Sequence, residues 1–407
     1  MTIMVRPISI LCITSYFKGS AFIQAGHAKG HRMFLLTATK LQHDPWPWDC
    51  LEDVYYMDLL EDGTWAMNDL INSIAYKMRS IGFDKFVALD DFDVDQVANL
   101  REHFRLPGMG ATTVRYFRDK LAMRMKASEA QIPVPQFTNL FRDRDIQQFT
   151  EQTEPPWLLK PRSEASATGI KKLHSTQDVW EQVNGLQDFR HRYLVECFTP
   201  GDVYHVDSLI YQGEVIFSKA SKYLDTPFEV AHGGGIFRSC SLELGSEDDL
   251  KLNELNRKVQ KAFGMKNSAS HTEFIKSHET GAFYFLETSA RVGGANLAEM
   301  VEASTGINLW KEWAHLELAV SLDQPYKLPK VNQQYAGIVV SLSRYQHPDT
   351  SSFADPEICW RMKRDWHIGL IVKSDSAHRV QELLEQYTQR IANEFHARLE
   401  PPKASRL

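Results

Sequence analysis

The run from His271 to Glu287 constrains this 407-residue chain more than any other segment. It reads His-Thr-Glu-Phe-Ile-Lys-Ser-His-Glu-Thr-Gly-Ala-Phe-Tyr-Phe-Leu-Glu, two strand-like stretches around a polar turn that ends in Gly281. Folding it about Thr280 predicts an antiparallel hairpin with Glu273 opposite Glu287, their Cβ atoms about 4.5–5.5 Å apart. Like charges so placed destabilise a sheet unless a cation or a proton lies between them. Thr288-Ser-Ala-Arg-Val-Gly-Gly294 follows directly, a cation and then a flexible glycine pair. Acid, acid, arginine and glycine in this order point to a site for Mg²⁺ and phosphate. From the hairpin alone, a solvated ribbon whose glutamates face lysines stays open as the alternative.

Strands alternate with helical stretches in the first quarter of the chain. Residues 8–14, Met33–Thr37 and Lys85–Leu89 are β-rich, and a helix-compatible stretch runs through Phe22 and Ala28, which predicts a parallel α/β sheet. Asp90, Asp91, Asp93 and Asp95 follow the last of these strands and read as acidic helix caps before they read as ligand groups. Gly19, Gly26 and Gly30 are too widely spaced for a dinucleotide fingerprint. After a break at Pro107–Gly110, a basic helical stretch carries Arg115, Arg118, Lys120, Arg124 and Lys126, and Ile132-Pro-Val-Pro135 ends it. Further helices are expected over 247–264, 297–301, 307–320 and 376–398.

The net charge of −6 and pI near 6.2 argue against a general nucleic-acid binder. No apolar run approaches the roughly 18–20 residues of a membrane span. Five scattered cysteines, without a CxxC pair, fit a reducing cytoplasm.

Three further segments carry chemistry. Lys160 ends an apolar strand and precedes Pro161-Arg-Ser-Glu-Ala-Ser-Ala-Thr-Gly169, a small, hydroxyl-rich loop able to wrap phosphate oxygens, although a plain surface turn fits it too. Tyr193–Asp202 is an extended segment running into a turn; it can offer backbone groups to a purine edge and a carboxylate to a ribose, and Asp202 is also an ordinary turn residue. Ala231–Arg238 precedes the hairpin, and Arg238 can hold a carboxylate with its two-pronged guanidinium or form a structural salt bridge. His232 and His271 read as structural histidines, and Pro45-Trp-Pro-Trp48 as a packed loop.

The chain thus carries, in order, Arg118-Asp-Lys120, Ile132-Pro-Val-Pro135, Leu159-Lys-Pro161, Val195-Glu196, Gly201-Asp202, His271-Thr-Glu273 and Glu287-Thr-Ser-Ala-Arg291-Val-Gly-Gly294. This set resembles the ATP-grasp superfamily, in its biotin-carboxylase-like and amino-acid-ligase-like branch. The resemblance implies an α/β protein, α+β in its nucleotide-binding part. It divides the chain into a pre-ATP-grasp domain over 1–114, an ATP-grasp domain over 115–328 with a lid over about 125–192, and a β-rich lobe over 329–407. It implies ATP and Mg²⁺, with Mn²⁺ as a substitute metal. By that resemblance, Lys120 and Lys160 hold phosphates, Ser166 belongs to the closing loop, Glu196 and Phe198 form the adenine hinge, and Asp202 binds ribose. Glu273 and Glu287 hold the metals, and Arg291 stabilises an acyl phosphate. Lys222 is a further phosphate- or substrate-facing lysine, with Lys219 as the other candidate; Arg238 and Gly294 are substrate positions.

The family's frequent asparagine two residues after the second glutamate is Ser289 here, which puts the second metal's shell in doubt, though a hydroxyl can still ligate magnesium. The implied activity is an ATP-dependent carboxylate–amine ligase with small-molecule substrates, no nucleic-acid or membrane partner, and a homodimeric state. A carboxylase component and a nucleotide-binding protein without turnover are the alternatives. The first is disfavoured because Val292-Gly-Gly-Ala-Asn296 stands where biotin carboxylases carry Gln-Val-Glu-His, and because their glycine-rich lid is missing.

Overall fold

Strands β1 (Ser9–Thr14), β2 (Arg32–Ala38), β3 (Asp53–Met57) and β4 (Lys85–Ala88) form a parallel sheet in the order β3-β2-β1-β4. The computed structural model describes residues 6–397 except 165–167, 227–229 and 231–233. β1 and β4 are buried along their whole length, as strands covered on both faces must be. Ile10 and Cys12 face the helix Ser20–Ala28, while Leu11 and Ile13 face the helices Met67–Lys77 and Val94–Phe104. Edge strand β3 was not expected; its half-exposed Asp-Val-Tyr-Tyr-Met run lacks the apolar density of its neighbours.

A second sheet joins β5 (Phe137–Asn139), β6 (Trp157–Pro161), β7 (Lys171–Leu173) and β8 (Tyr193–Cys197) in the order β5-β8-β6-β7, all antiparallel. Trp157, Leu159 and Val195 point to the helices Asp143–Gln152 and Thr176–Gly185 and give this lobe its own core. The lobe's sheet spans 137–197, so the helix Lys120–Glu129 falls outside it. Met123 and Ala127 pack instead on Val206, Phe274 and Phe285 of the third sheet. That helix starts at Lys120, later than the basic pattern suggests, because the Asp119 carboxylate accepts from the N–H of Leu121 at 3.0 Å and caps it.

The third sheet contains β9 (Gly201–Tyr211), β10 (Glu214–Tyr223), β11 (Phe237–Ser241), β12 (Ser268–Ser277), β13 (Phe283–Ser289), β14 (Tyr335–Leu342), β15 (Ile358–Arg361) and β16 (His367–Ser374). Their order is β13-β12-β9-β10-β11-β14-β16-β15, and every pairing is antiparallel. The last lobe therefore extends the same sheet as the glutamate hairpin. The helix Glu247–Phe263 covers one face, and the helices Leu297–Thr305 and Leu309–Ser321 lie on the other side of the sheet, the latter also packing on the first domain through Trp313 and Phe22. A buried ion pair, Lys85 with Glu317, reinforces that junction.

Candidate active site

The hairpin β12–β13 pairs Glu273 with Glu287, and the register shifts just after that pair. Residues of one parity on β9, β10, β12 and β13 share a face, so Glu273 is joined there by Glu287, Ser289, His271, His205, Asp207 and Tyr223. This polar surface and the 137–197 lobe enclose a cavity of about 360 Å³, whose walls include Asp91, Lys120, Lys160, Arg291 and Gly294.

Cations stand beside each acid. The Lys120 ammonium donates to the Glu287 carboxylate at 2.7 Å and to the Glu164 carbonyl at 2.6 Å. Lys160 donates to Glu196 from the neighbouring strand, and Arg124 grips the other oxygen of Glu196 through Nε at 3.0 Å and an NH2 group at 2.8 Å. Burial opposes ionisation of Glu196, but Arg124 and Lys160 outweigh it and hold its carboxyl below the usual range. Arg124 also donates to the carbonyl of Leu286, tying the small sheet to the hairpin.

Behind Glu273 runs a buried chain of hydrogen bonds. The Ser239 hydroxyl meets His205 Nε2 at 2.7 Å, and His205 Nδ1 meets Asp207 at 2.8 Å. The other oxygen of Asp207 meets His271 Nδ1 at 2.8 Å, and Tyr223 donates to Glu273 at 2.9 Å. Burial disfavours a charged imidazole, yet Asp207 and Glu273 raise His271 to about 9. His271 is therefore a cation at neutral pH and donates from both nitrogens, Nε2 lying 3.4 Å from Glu273. Glu273 sits below its usual range: burial opposes this, and His271 and Tyr223 prevail. Gly293 leaves room for this chain, since a Cβ there would lie 2.7 Å from Asp207 Oδ1 and 3.0 Å from His271 Nδ1.

Opposite the hairpin, Asp91 reaches the same cavity from the parallel sheet. Its carboxylate lies 3.6 Å from Arg118 and 3.9 Å from Arg291 Nε, and neither Asp91 Oδ1 nor Arg291 Nε has a hydrogen-bond partner. Burial opposes its charge, while Arg291, Arg118 and Lys120 hold it ionised. Sequence reasoning treated the acidic cluster as caps. That suits Asp90, which accepts from the Phe92 N–H at 3.1 Å, but it overlooked Asp91. The signal was available in its position at the C-terminal end of a parallel strand. Asp93 serves the fold, accepting from Ser15 and Trp65, and burial lifts its carboxyl to about 7.

Other expected positions sit elsewhere. Lys222 and Asp202 pair with each other at 2.7 Å, outside the cavity lining. Arg238 is held by Asp225 at 2.7 and 2.9 Å, a salt bridge of the kind expected as one of its two readings. Lys172 lies 3.8 Å from the Phe198 ring. The N–H groups of Cys197 and Phe198 donate to Gln136 and Pro156, and β8 is paired on both edges, so the backbone donors of this stretch are taken within the sheet. The Glu196 side chain is buried against Arg124 and Lys160, the two residues of this group that line the cavity. Ser166 and His232 lie outside the described residues.

No family profile matches the chain. An L-arginine-specific L-amino acid ligase from Bacillus subtilis is 26% identical over 270 residues, 64% of this chain and 63% of that protein. The chain thus spans less than two thirds of that relative's length. Among solved structures, an L-amino acid ligase from Bacillus licheniformis superposes with a TM-score of 0.75 at 17% identity, covering 98% of this chain and all of the other. The biotin carboxylase domain of 2-oxoglutarate carboxylase from Hydrogenobacter thermophilus, solved with MgADP and bicarbonate, gives 0.69 at 15% identity over 92% of this chain and 88% of that one. The fold is ATP-grasp. In sequence and in fold the chain is similar to L-amino acid ligases. No helix among the described residues is long and apolar enough to cross a membrane.

Proposed function

We propose that the chain is an ATP-dependent carboxylate–amine ligase that joins an amino acid to an amine through an acyl phosphate, releasing ADP and phosphate. One observation carries the reading: the opposed pair Glu273 and Glu287 faces Lys120, Lys160 and Arg291 across a single cavity. Carboxylate and hydroxyl oxygens from Glu273, Glu287 and Ser289 are hard donors of the kind Mg²⁺ takes, with water completing its shell. Held by these residues, Mg²⁺ would supply positive charge against the phosphates of ATP. Lys120 and Lys160 add two fixed positive charges for the same phosphates. Ser289 would offer a second metal a neutral ligand.

A substrate carboxylate oxygen attacks the γ-phosphorus, the bond to the β–γ bridging oxygen breaks, and ADP leaves. The amine then attacks the acyl carbon, the carbon–oxygen bond to phosphate breaks, and the amine gives up a proton. Arg291, with Nε unpartnered, stabilises the oxyanion formed in between. Asp91, with one oxygen unpartnered on the facing wall, accepts a hydrogen bond from the incoming amine, which attacks in its neutral form. The kinship with an L-amino acid ligase supports amino acids as the substrate class.

The test is ADP release over a panel of amino acids with and without amine acceptors, with products identified by mass. Absence of any acceptor-dependent product defeats the ligase reading. Glu287→Gln should abolish Mg²⁺-dependent ADP formation and leave the far-ultraviolet circular dichroism unchanged; retained turnover defeats the metal assignment. Light scattering tests the homodimer that the superfamily resemblance implies.

A further inference from the structure

Lys219 takes no part in the proposed chemistry, yet it is only 4% exposed. Among the described residues its ammonium makes no hydrogen bond or ion pair. Asp207 is its cross-strand partner on β9, but both oxygens of Asp207 are taken by His205 and His271. Asp249 is also close enough to be felt, and its oxygens are engaged by Asn253 and by the Gly245 N–H. The Tyr335 ring lies 5.7 Å away. Burial pulls the ammonium's pKa down, with Asp249 acting against it. An ammonium sequestered this way is costly to the fold, and such groups are almost always paired.

Lys219 lines a second cavity, of about 270 Å³. Arg257 enters it from the helix Glu247–Phe263, exposed and without an ion pair among the described residues. Asn332 and Gln333 contribute amides, and Phe217, Leu328 and Val331 form apolar wall. Two unneutralised cations beside an apolar wall call for an anionic head on a short hydrocarbon body. The volume falls just below the roughly 300–1,000 Å³ of drug-sized ligand sites, which limits the ligand to a small acid.

We propose that this cavity is a second binding site, separate from the nucleotide cavity, for a small aliphatic carboxylate held between Lys219 and Arg257. Lys219 supplies a point charge, and Arg257 a planar fork that matches a carboxylate. The helix Leu297–Thr305 has its first residue in the wall of the nucleotide cavity and its last in the wall of this one. A bound acid would therefore sit about 13 Å, one short helix, from the nucleotide cavity.

Calorimetric titration of the whole chain with acetate, butyrate, hexanoate and inorganic phosphate tests this. Saturable carboxylate binding is expected, tighter for butyrate than for acetate or phosphate. Lys219→Met should weaken it about ten- to a hundredfold, the loss of one charge-assisted hydrogen bond. Arg257→Ala should weaken it as well, and Arg291→Ala, in the other cavity, should leave it unchanged. No saturable binding to the wild type, binding unaltered in Lys219→Met, or binding abolished by Arg291→Ala overturns the proposal. Phosphate binding as tightly as butyrate overturns the carboxylate class. Should Lys219→Met fail to fold, Arg257→Ala, at an exposed position, decides the matter alone.

Discussion

Replacing Glu196 by glutamine separates a structural role for its side chain from a nucleotide-contacting role for its backbone. Glu196 and Arg124 are each 1% exposed and Lys160 is 8% exposed, so one anion answers two buried cations. Glutamine keeps the shape and a single accepting oxygen, but its amide presents N–H groups to cations that need acceptors. The local charge moves from one net positive to two. Removing one partner of a buried ion pair typically costs about 3–5 kcal/mol, because the remaining charge stays buried. At about 2–4 °C per kcal/mol for a folding unit of 150–250 residues, the unfolding midpoint should fall by roughly 6–20 °C. Adding Lys160→Met to Glu196→Gln removes one stranded cation and should restore part of that loss. Differential scanning calorimetry of the wild type, both single variants and the double variant reads the coupling directly. A drop of less than about 1 kcal/mol in Glu196→Gln, with nucleotide binding nevertheless lost, would refute the reasoning and favour a contact with ligand instead.

Two further outcomes follow from the chain behind Glu273. Gly293→Ala drives a methyl group into the Asp207–His271 hydrogen bond and should cost about 1–3 kcal/mol, read from the urea midpoint. His271 is raised from 6.5 to about 9 in the folded chain, so its contribution to stability is complete below about pH 6.5 and fades as pH rises through about 9. The midpoint should decline between those values in the wild type and be flatter in His271→Gln; equal slopes would show that His271 is not the titrating group.

Much of the architecture was legible because local pattern and tertiary demand agree. The apolar runs around Ile10 and Phe86 are buried strands because both faces are covered, and the register of Glu273 with Glu287 follows from the turn at Thr280 and Gly281. Sequence failed where a residue's role depends on which distant side chain meets it. Asp91 and Asp90 are chemically alike and adjacent, yet one faces two arginines while the other caps a turn and pairs with Lys18. Arg238 and Lys222 meet Asp225 and Asp202, partners that their place in the chain does not name. Order along the chain cannot reveal such pairings, since the partners come from separate strands or loops.

Some of the costly features of this chain fall around the nucleotide cavity. Two carboxylates oppose each other on a hairpin, and a buried carboxylate oxygen and a buried guanidinium nitrogen stand 3.9 Å apart without hydrogen bonds. Next to them Ala295 and Asn296 adopt left-handed backbone, with φ of 51° and 59°, and Ala295 lines the cavity. An unmade buried hydrogen bond costs about 1–3 kcal/mol, and a residue held in a sparse backbone region about the same. Lys120 and His271 offset the opposed acids, while Asp91 Oδ1 and Arg291 Nε face each other with hydrogen-bonding capacity left for a donor and an anion. A metal-bound polyphosphate, an amine and a carboxyl oxygen are the three groups that a carboxylate–amine ligase brings together.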